Sequence, residues 1–382
     1  MSAFGRRRFL RLAVATAATV AIPATRIAAS SPRPVAQDAP GVAPGPSPTP
    51  APPGQLWLLA SPDQWDPGVI RSLDADDGID VRVNPLTDDA EAHADLVAGA
   101  VPADLVGADG GWVSQLRADE RVEPLHPDSI GVVDELYPMA LELSLLATDD
   151  GLLGFPWGWS PLQVVCDPAR LASIPDSWDV LVDARNRGRV VVESQRMDLV
   201  LCAARATGAA DPLAMTDAEL AAATDWLRRL RPNVRHIVRQ RSDAIDLLAS
   251  GECTLAISAL GAPDLVRDAD GPELMAYVPR EGTIGSLDVM VQLRGSPNVA
   301  RVPAWLDAAG GAEAAAAGFL RDGRPLFNER AFQLLVDSGH GDRARRYLYD
   351  RPETVLDLTL TGPGERPDDY LAAYAAAFDV EG

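Results

Sequence analysis

The fold class is best predicted from residues 55–111, QLWLLASPDQWDPGVIRSLDADDGIDVRVNPLTDDAEAHADLVAGAVPADLVGADGG. In this stretch, short apolar runs typical of buried strands alternate with longer amphipathic runs typical of helices. The predicted elements are, in order, strand Leu56–Leu59, helix Asp66–Leu73, strand Ile79–Val83, helix Ala90–Gly99 and strand Ala103–Val106. This βαβαβ order predicts a mostly parallel sheet with helices on both faces, which binds ligands beyond the carboxyl ends of its strands.

The same alternation begins again after residue 160. The predicted elements there are strand Leu162–Cys166, helix Ser177–Ala184, strand Arg189–Glu193, helices Asp198–Ala206, Asp217–Leu230 and Asp243–Ser250, and strand Thr254–Ser258. The helices begin with the acidic residues that favour helix N-termini. Two α/β units of similar design, with a cleft between them, are therefore expected.

The first 54 residues differ in character from the rest of the chain. Residues 6–11 (RRRFLR) have the pattern that the twin-arginine export machinery recognises. The apolar run that follows, Leu12–Ala24, is too short to span a bilayer, which takes about 20 residues. We predict a signal peptide at 1–30 and a periplasmic or extracellular location; a disordered basic N-terminus and an uncleaved amphipathic anchor are the alternatives. Residues 31–54 are rich in proline and alanine, which predicts an extended linker.

The charge of the chain narrows its partners. It has 34 basic and 55 acidic residues, a formal charge of −21, and every basic residue is arginine. A surface this acidic repels nucleic acid and anionic lipid, so we expect no nucleic-acid partner and contact with the membrane only through another protein. Because lysine is missing, Schiff-base chemistry and the lysine of a phosphate-binding loop are excluded.

No set of catalytic residues stands out. Residues 158–162 (GWSPL) lack the final glycine of a nucleophile elbow, and the four histidines lie far apart in sequence. Cys166, Cys202 and Cys253 have no metal-ligand spacing, and we expect buried thiols, with one disulfide as the alternative. The sequence therefore predicts a protein that is not an enzyme and that needs no cofactor or metal.

Tryptophans occur where a ligand is expected. Trp157 and Trp159 lie where the first α/β unit meets the second, and Trp112 follows the glycine-rich end of a predicted strand. Indole rings at a cleft form flat apolar walls for small ligands or cations. Packing between the two units is the alternative role of Trp157 and Trp159.

Several short motifs occur in one order along the chain: ADLV at 103–106, VEPLHP at 122–127, GFPWGW at 154–159, SWDVL at 177–181 with GRV at 188–190, GECTLA at 251–256, YVPREG at 277–282 and DYLAAY at 369–374. In this order they resemble motifs of the periplasmic solute-binding proteins of ABC importers, specifically the spermidine/putrescine-binding group. The resemblance runs from about Gln55 to the C-terminus.

This resemblance implies an α/β fold with the two lobes of type II periplasmic binding proteins, which close around a small solute and then dock on an ABC transporter permease. We expect one lobe at 55–159 with 288–355, and the other at 160–287 with 356–382. Strands that cross near 157–162 and 285–290 would form the hinge. A ligand-sensing or scaffold protein that keeps this fold without transport is the alternative function.

Asp288 stands where that group has an acid that binds the ligand amine; a helix cap at the hinge is its alternative role. The other candidate ligand-binding residues are Asp109, Glu193, Trp65, Trp112, Trp157 and Trp159. In the group, the ligand lies in a box of aromatic side chains flanked by carboxylates. Two tryptophans of that box correspond to Ala259 and Ser286 in this chain, and one glutamate corresponds to Met197. The expected ligand is therefore a small organic solute, polyamine-like or other.

Overall fold

The computed structural model describes residues 54–171, 173, 175–193, 196–238, 241–259 and 272–378, so the predicted signal peptide and all but the last residue of the predicted linker lie outside the described residues. The strands are β1 (Gln55–Ala60), β2 (Asp80–Pro85), β3 (Leu105–Asp109), β4 (Ala147–Thr148), β5 (Gly151–Leu152), β6 (Phe155–Cys166), β7 (Val190–Glu193), β8 (Val234–Val238), β9 (Leu255–Ala259), β10 (Met275–Tyr277), β11 (Ile284–Gln292) and β12 (Thr359–Leu360).

The α-helices are α1 (Pro67–Asp77), α2 (Asp89–Ala98), α3 (Gly110–Ala118), α4 (Pro138–Leu141), α5 (Arg196–Ala206), α6 (Asp217–Leu230), α7 (Arg241–Ala249), α8 (Val302–Gly310), α9 (Ala312–Asp322), α10 (Glu329–Asp337), α11 (Gly341–Arg346) and α12 (Pro367–Phe378). Among the described helices, none combines the length and the hydropathy needed to cross a bilayer.

Most strands belong to one sheet with the order β2-β1-β3-β11-β6-β9-β7-β8, and β10 and β12 add short pairings with β6 and β11. The strands β1, β2 and β3 are parallel at one side of the sheet, and β7, β8 and β9 are parallel at the other. Between them, β11 and β6 run antiparallel to each other and to their outer neighbours. The α/β class is confirmed, but the sheet is mixed, because two long strands return through its middle.

The apolar core also falls into two groups. Clusters on the β1–β3 side include side chains of α1, α3, α8 and α9, and clusters on the β7–β9 side include side chains of α5, α6, α7 and α12. The long strands contribute to both groups: β6 places Phe155 on the first side and Val164 on the second, and β11 does the same with Val289 and Ile284. These two strands therefore belong to both halves of the molecule.

Most of the predicted strands and helices are confirmed, with ends shifted by a few residues, but two predictions were wrong. The strand predicted at Leu162–Cys166 begins at Phe155, so residues 158–162 lie inside β6 and not at a strand-to-helix turn. The helix predicted at Ser177–Ala184 is two 3₁₀ turns, Trp178–Val182 and Ala184–Asn186. Asp183 separates them because its extended backbone ends the first turn and its side chain caps the second at Arg185 N.

A β-bulge shapes the middle of β6. Along β11 the pairing passes from Gly158 to Pro156 and skips Trp157, which is the extra residue. A bulge bends its strand and redirects the side chains that follow. Accordingly, Trp157 packs in a different core cluster from Trp159.

Gly158 allows a loop to lie directly on β6. Residues 323–328, between α9 and α10, cross the strand at this point, where Leu326 forms an isolated β-bridge with Gly158. A Cβ atom on Gly158 would stand 2.6 Å from the carbonyl oxygen of Pro325. Glycine is therefore required by the close approach of two backbones.

We predict that Gly158→Ala lowers the free energy of unfolding by about 1–3 kcal/mol, because the added methyl group must displace backbone atoms. Urea denaturation measures the change. Gly318→Ala in α9 is the matched control, since a Cβ there meets nothing within 4 Å, and it should be neutral or stabilising by about 0.5–1 kcal/mol. Equal stabilities for the two variants would contradict the close contact at Gly158.

The three cysteines Cys166, Cys202 and Cys253 are buried and form no disulfide. Burial raises the pKa of the Cys166 thiol to about 11, and burial also raises the pKa of Cys253 to about 11. Cys202 lies deeper still, and burial raises its pKa as well. The expectation of buried thiols is confirmed, and the disulfide alternative is wrong.

We predict that these thiols react slowly with Ellman's reagent in the folded protein at about pH 8, because the thiolate is the reactive form and burial disfavours it. In denaturant without reductant, all three should react at the rate of a free thiol. A titration that finds a single reactive thiol after denaturation would instead reveal a disulfide.

Candidate functional site

A pocket lies between the turn after β1, the start of β6 and the helices α8 and α9, with about 440 Å³ of empty space including its open mouth. Trp65 and Trp157 are its aromatic lining, and Val69 and Leu326 add aliphatic surface. Trp157 is buried and Trp65 is half-buried. Two of the predicted aromatic walls are thus brought to one pocket.

The charged residues that line this pocket take part in ion pairs. Its lining has two carboxylates, Asp66 and Asp322, and two guanidinium groups, Arg321 and Arg324, so its formal charge is zero. Arg321 Nη2 lies 2.6 Å from Asp322 Oδ2, and Arg321 Nη1 is paired with Asp66 Oδ2. Asp66 also caps α1, because its Oδ1 accepts from the backbone nitrogen of Gly68 at 2.6 Å.

Asp288 lies in the middle of the sheet, outside the lining of this pocket, and is paired with the lining residue Arg324. It is 2% exposed and sits in β11 between Asp109 of β3 and Gly158 of β6. Arg324 Nη1 lies 3.0 Å from Asp288 Oδ2. Because Asp288 is inside a strand, its predicted alternative as a helix cap was wrong.

Asp109 ends β3 directly beside Asp288, at the start of α3. Its Oδ2 accepts a hydrogen bond of 2.6 Å from Thr361 Oγ1. The first turn of α3 contacts the same residue, since Gly111 N donates to Thr361 O at 3.1 Å. The segment that contains β12 therefore covers the N-terminus of α3, and Asp109 contacts this segment.

Two predicted aromatic walls lie in the core. Trp159 is fully buried, with its ring centroid 4.6 Å from that of Phe327. Trp112 is 6% exposed, and its ring lies 5.4 Å from that of His93. Neither belongs to the lining of the pocket around Trp65.

Glu193 lies on the other side of the sheet. It is the last residue of β7, it is half-buried, and its Oε2 accepts a hydrogen bond from Ser258 Oγ of the neighbouring strand β9. It does not line the pocket that contains Trp65 and Trp157. The predicted site residues are therefore distributed over both sides of the sheet and are not gathered in one place.

An ion pair joins the two sides of the sheet. Arg196 begins α5 after β7, and its Nε and Nη2 atoms each lie 3.3 Å from an oxygen of Asp88, which caps α2 after β2. Arg196 Nη2 also lies 3.0 Å from Glu91 Oε1. The hydrogen bond to Asp88 raises the pKa of Arg196 above its ordinary value. Asp88 is 3% exposed. The ion pair therefore joins a partly exposed arginine to a carboxylate that is almost completely buried.

Sequence reasoning missed Arg196 and Arg324, the two arginines that connect these elements. Arg196 was visible only as the arginine of residues 193–197, which resemble a segment of the spermidine/putrescine-binding group, and Arg324 only as a residue between Gly323 and Pro325. Their partners are more than thirty residues away in sequence, and no spacing rule connects them. In the described ranges, moreover, no three His, Cys, Asp or Glu side chains are placed to hold a metal ion.

The chain is similar to known extracellular solute-binding proteins in sequence and in fold. Residues 102–329, more than half of the chain, match the family model described as bacterial extracellular solute-binding protein. The fold is similar to that of a putative spermidine/putrescine ABC transporter from Listeria monocytogenes, with a TM-score of 0.75 and 20% identity over 86% of this chain and 99% of that chain. A comparison with curated protein sequences gave no match.

Two further solved structures are similar. The Tp0655 (TpPotD) lipoprotein of Treponema pallidum has a TM-score of 0.69 and 16% identity over 85% of this chain and 99% of that chain. The binding protein MotA from A. tumefaciens B6, in complex with glucopine, has a TM-score of 0.58 and 16% identity over 85% of this chain and 98% of that chain. At these identities the likeness shows the fold, which is the two-lobed α/β fold of periplasmic binding proteins.

We predict that Arg196→Gln, without added ligand, shifts the molecule toward an arrangement in which the two sides of the sheet are further apart. Loss of the contact should change that equilibrium by about 1 kcal/mol, a factor of about five. Small-angle X-ray scattering should show a larger radius of gyration.

Arg228→Gln is the control, because it removes an exposed ion pair with Asp225 inside α6 alone. An unchanged radius for Arg196→Gln, or an equal increase for both variants, would show that the Arg196 contact does not hold the two sides together.

Proposed function

The chain belongs to the bacterial extracellular solute-binding proteins, and on that premise we propose that it captures a small organic solute for the permease of an ABC importer. Its family is one of transport proteins and not an enzyme class, and the protein acts without catalysis in this proposal. Export follows the twin-arginine route, on the strength of the basic motif at residues 6–11.

The observation that carries the proposal is that β6 and β11 belong to both halves of the molecule. Two strands shared by two separate cores can twist while each core stays rigid, which is the usual basis of hinge closure. The lobes in this proposal are 55–159 with 288–355 and 160–287 with 356–382, and the hinge lies where β6 and β11 pair. The ion pair between Arg196 and Asp88 then holds the closed arrangement.

The proposed ligand site is the pocket beside this hinge. Trp65 and Trp157 give the solute flat apolar contact, and Asp288 acts on it through Arg324. Asp109 and Glu193 lie outside the lining of this pocket; their proposed polar contacts are at the hinge and on the second lobe. Trp112 and Trp159 support the site from the core.

The fold does not fix the ligand. The similar Listeria protein is described as a spermidine/putrescine transporter protein, whereas MotA holds glucopine. The site residues of this chain must therefore decide the ligand class, and Ala259, Ser286 and Met197 remove parts of the polyamine box that the sequence resemblance implied.

One observation favours a second function, that of a ligand sensor or scaffold. Asp88, Asp288 and the carboxylates of the pocket already have cationic partners from the chain itself. A protein whose site charges are internally paired can hold its fold and its closed arrangement without a solute.

We predict that the exported protein, purified without refolding, retains a small molecule at a ratio near one, seen by native mass spectrometry. Trp65→Ala should weaken retention by about tenfold or more, because a flat aromatic contact is lost. Trp57→Ala is the matched control, since Trp57 lies in β1 outside the pocket lining.

Absence of any retained molecule, together with no change in melting temperature across a broad panel of solutes, would contradict solute capture and favour the scaffold function. Equal loss of the ligand in both tryptophan variants would remove Trp65 from the site.

A further inference from the structure

We propose that Arg324 is a built-in substitute for a ligand cation at Asp288, and that it excludes diamines and polyamines in favour of solutes without net charge. This inference rests on the proposed function, because it concerns the solute that the pocket beside Arg324 accepts. Its basis is the position of the Arg324 guanidinium beside the carboxylate of Asp288 at the hinge.

The side chain of Asp288 is buried. It is 3% exposed, and it lies in the centre of the sheet with a paired strand on each side. A carboxylate taken out of water must be matched by a cation or by hydrogen-bond donors. In a solute-binding protein, a ligand amine could be that match.

The chain provides this match itself. Arg324 Nη1 lies 3.0 Å from Asp288 Oδ2, and the Arg324 side chain is 15% exposed. An arginine guanidinium is effectively always protonated. A ligand ammonium that used Asp288 would therefore have to displace a permanent cation within a nearly closed environment.

The backbone on both sides of Arg324 holds this residue in place. Gly323 ends α9 in a left-handed conformation, with φ of 70°. The loop then crosses β6 at Gly158, and Phe327 N donates to Trp157 O at 3.0 Å. The Cβ position of Gly158 is only 3.6 Å from Asp288 Oδ2, so the strand, the loop and the carboxylate meet at one point. Arg324 is therefore positioned by the fold and is not a surface side chain that reaches Asp288 by chance.

The pocket then offers a solute no carboxylate that lacks a guanidinium partner. Its lining carries two carboxylates and two guanidinium groups, and Asp288 beyond the lining adds a third carboxylate. Arg321 is paired with Asp66 and Asp322, as Arg324 is with Asp288. An amine would therefore have to displace an arginine at any of the three carboxylates. A neutral or zwitterionic solute can lie on the indoles of Trp65 and Trp157 and exchange hydrogen bonds with these pairs.

The experiment measures binding of putrescine and spermidine by calorimetry and by melting temperature. The wild-type protein should show no binding of either at about 1 mM. Arg324→Gln exposes Asp288 to the pocket, and putrescine should then bind at least about tenfold more tightly and raise the melting temperature, as expected for one new charge-assisted pair. Arg324→Lys keeps the internal cation and should remain unresponsive.

The double variant Arg324→Gln with Asp288→Asn is the decisive control, and it should lose the putrescine response. The inference is overturned if the wild-type protein binds putrescine and Asp288→Asn abolishes that binding. It is also overturned if folded Arg324→Gln gains nothing.

If Arg324→Gln does not fold alone, refolding in the presence of putrescine or methylguanidinium becomes the readout. Recovery of native circular dichroism with either cation supports the inference, and failure with both contradicts it. Binding of putrescine by the wild-type protein through Asp288 would still support solute capture, so this outcome can be told apart from failure of the proposed function.

Discussion

A carboxylate buried at the junction of two half-molecules constrains everything around it. Asp288 is placed where β3, β11 and β6 run side by side, and it requires a positive charge that none of these three strands contains. The charge comes from a loop after α9, and that loop reaches the strand only because Gly158 has no side chain. Gly158, next to the bulge at Trp157, admits the loop that carries Arg324, and Arg324 supplies the positive charge beside Asp288.

The sequence contained most of the fold. Alternating apolar and amphipathic runs identified strands and helices of both halves, because each has the period of its own secondary structure. The mixed sheet was not predicted, since the direction of a strand depends on connections that span the whole chain. The apolar pattern of Ser177–Ala184 predicts a helix, but Asp183 interrupts it by capping a second 3₁₀ turn with its side chain.

The site was less accessible to sequence reasoning than the fold. Residue type and resemblance indicate tryptophan and aspartate positions, and Trp65, Trp157 and Asp288 do lie around one region. Trp112 and Trp159 are in the core, which the alternative of packing had anticipated for Trp159. The arginines could not be found, because an ion pair such as that of Arg196 with Asp88 joins residues 108 positions apart, and only the folded chain brings them together.

The three buried thiols leave the described surface of this protein without a cysteine. A pair of cysteines introduced at exposed positions, one near Glu91 and one on the outer face of α6, could carry a donor and an acceptor dye without competing background labelling. Because lysine is also missing from the chain, amine-directed dyes would attach only at the N-terminus. The molecule is thus suited to single-molecule observation of how its halves move.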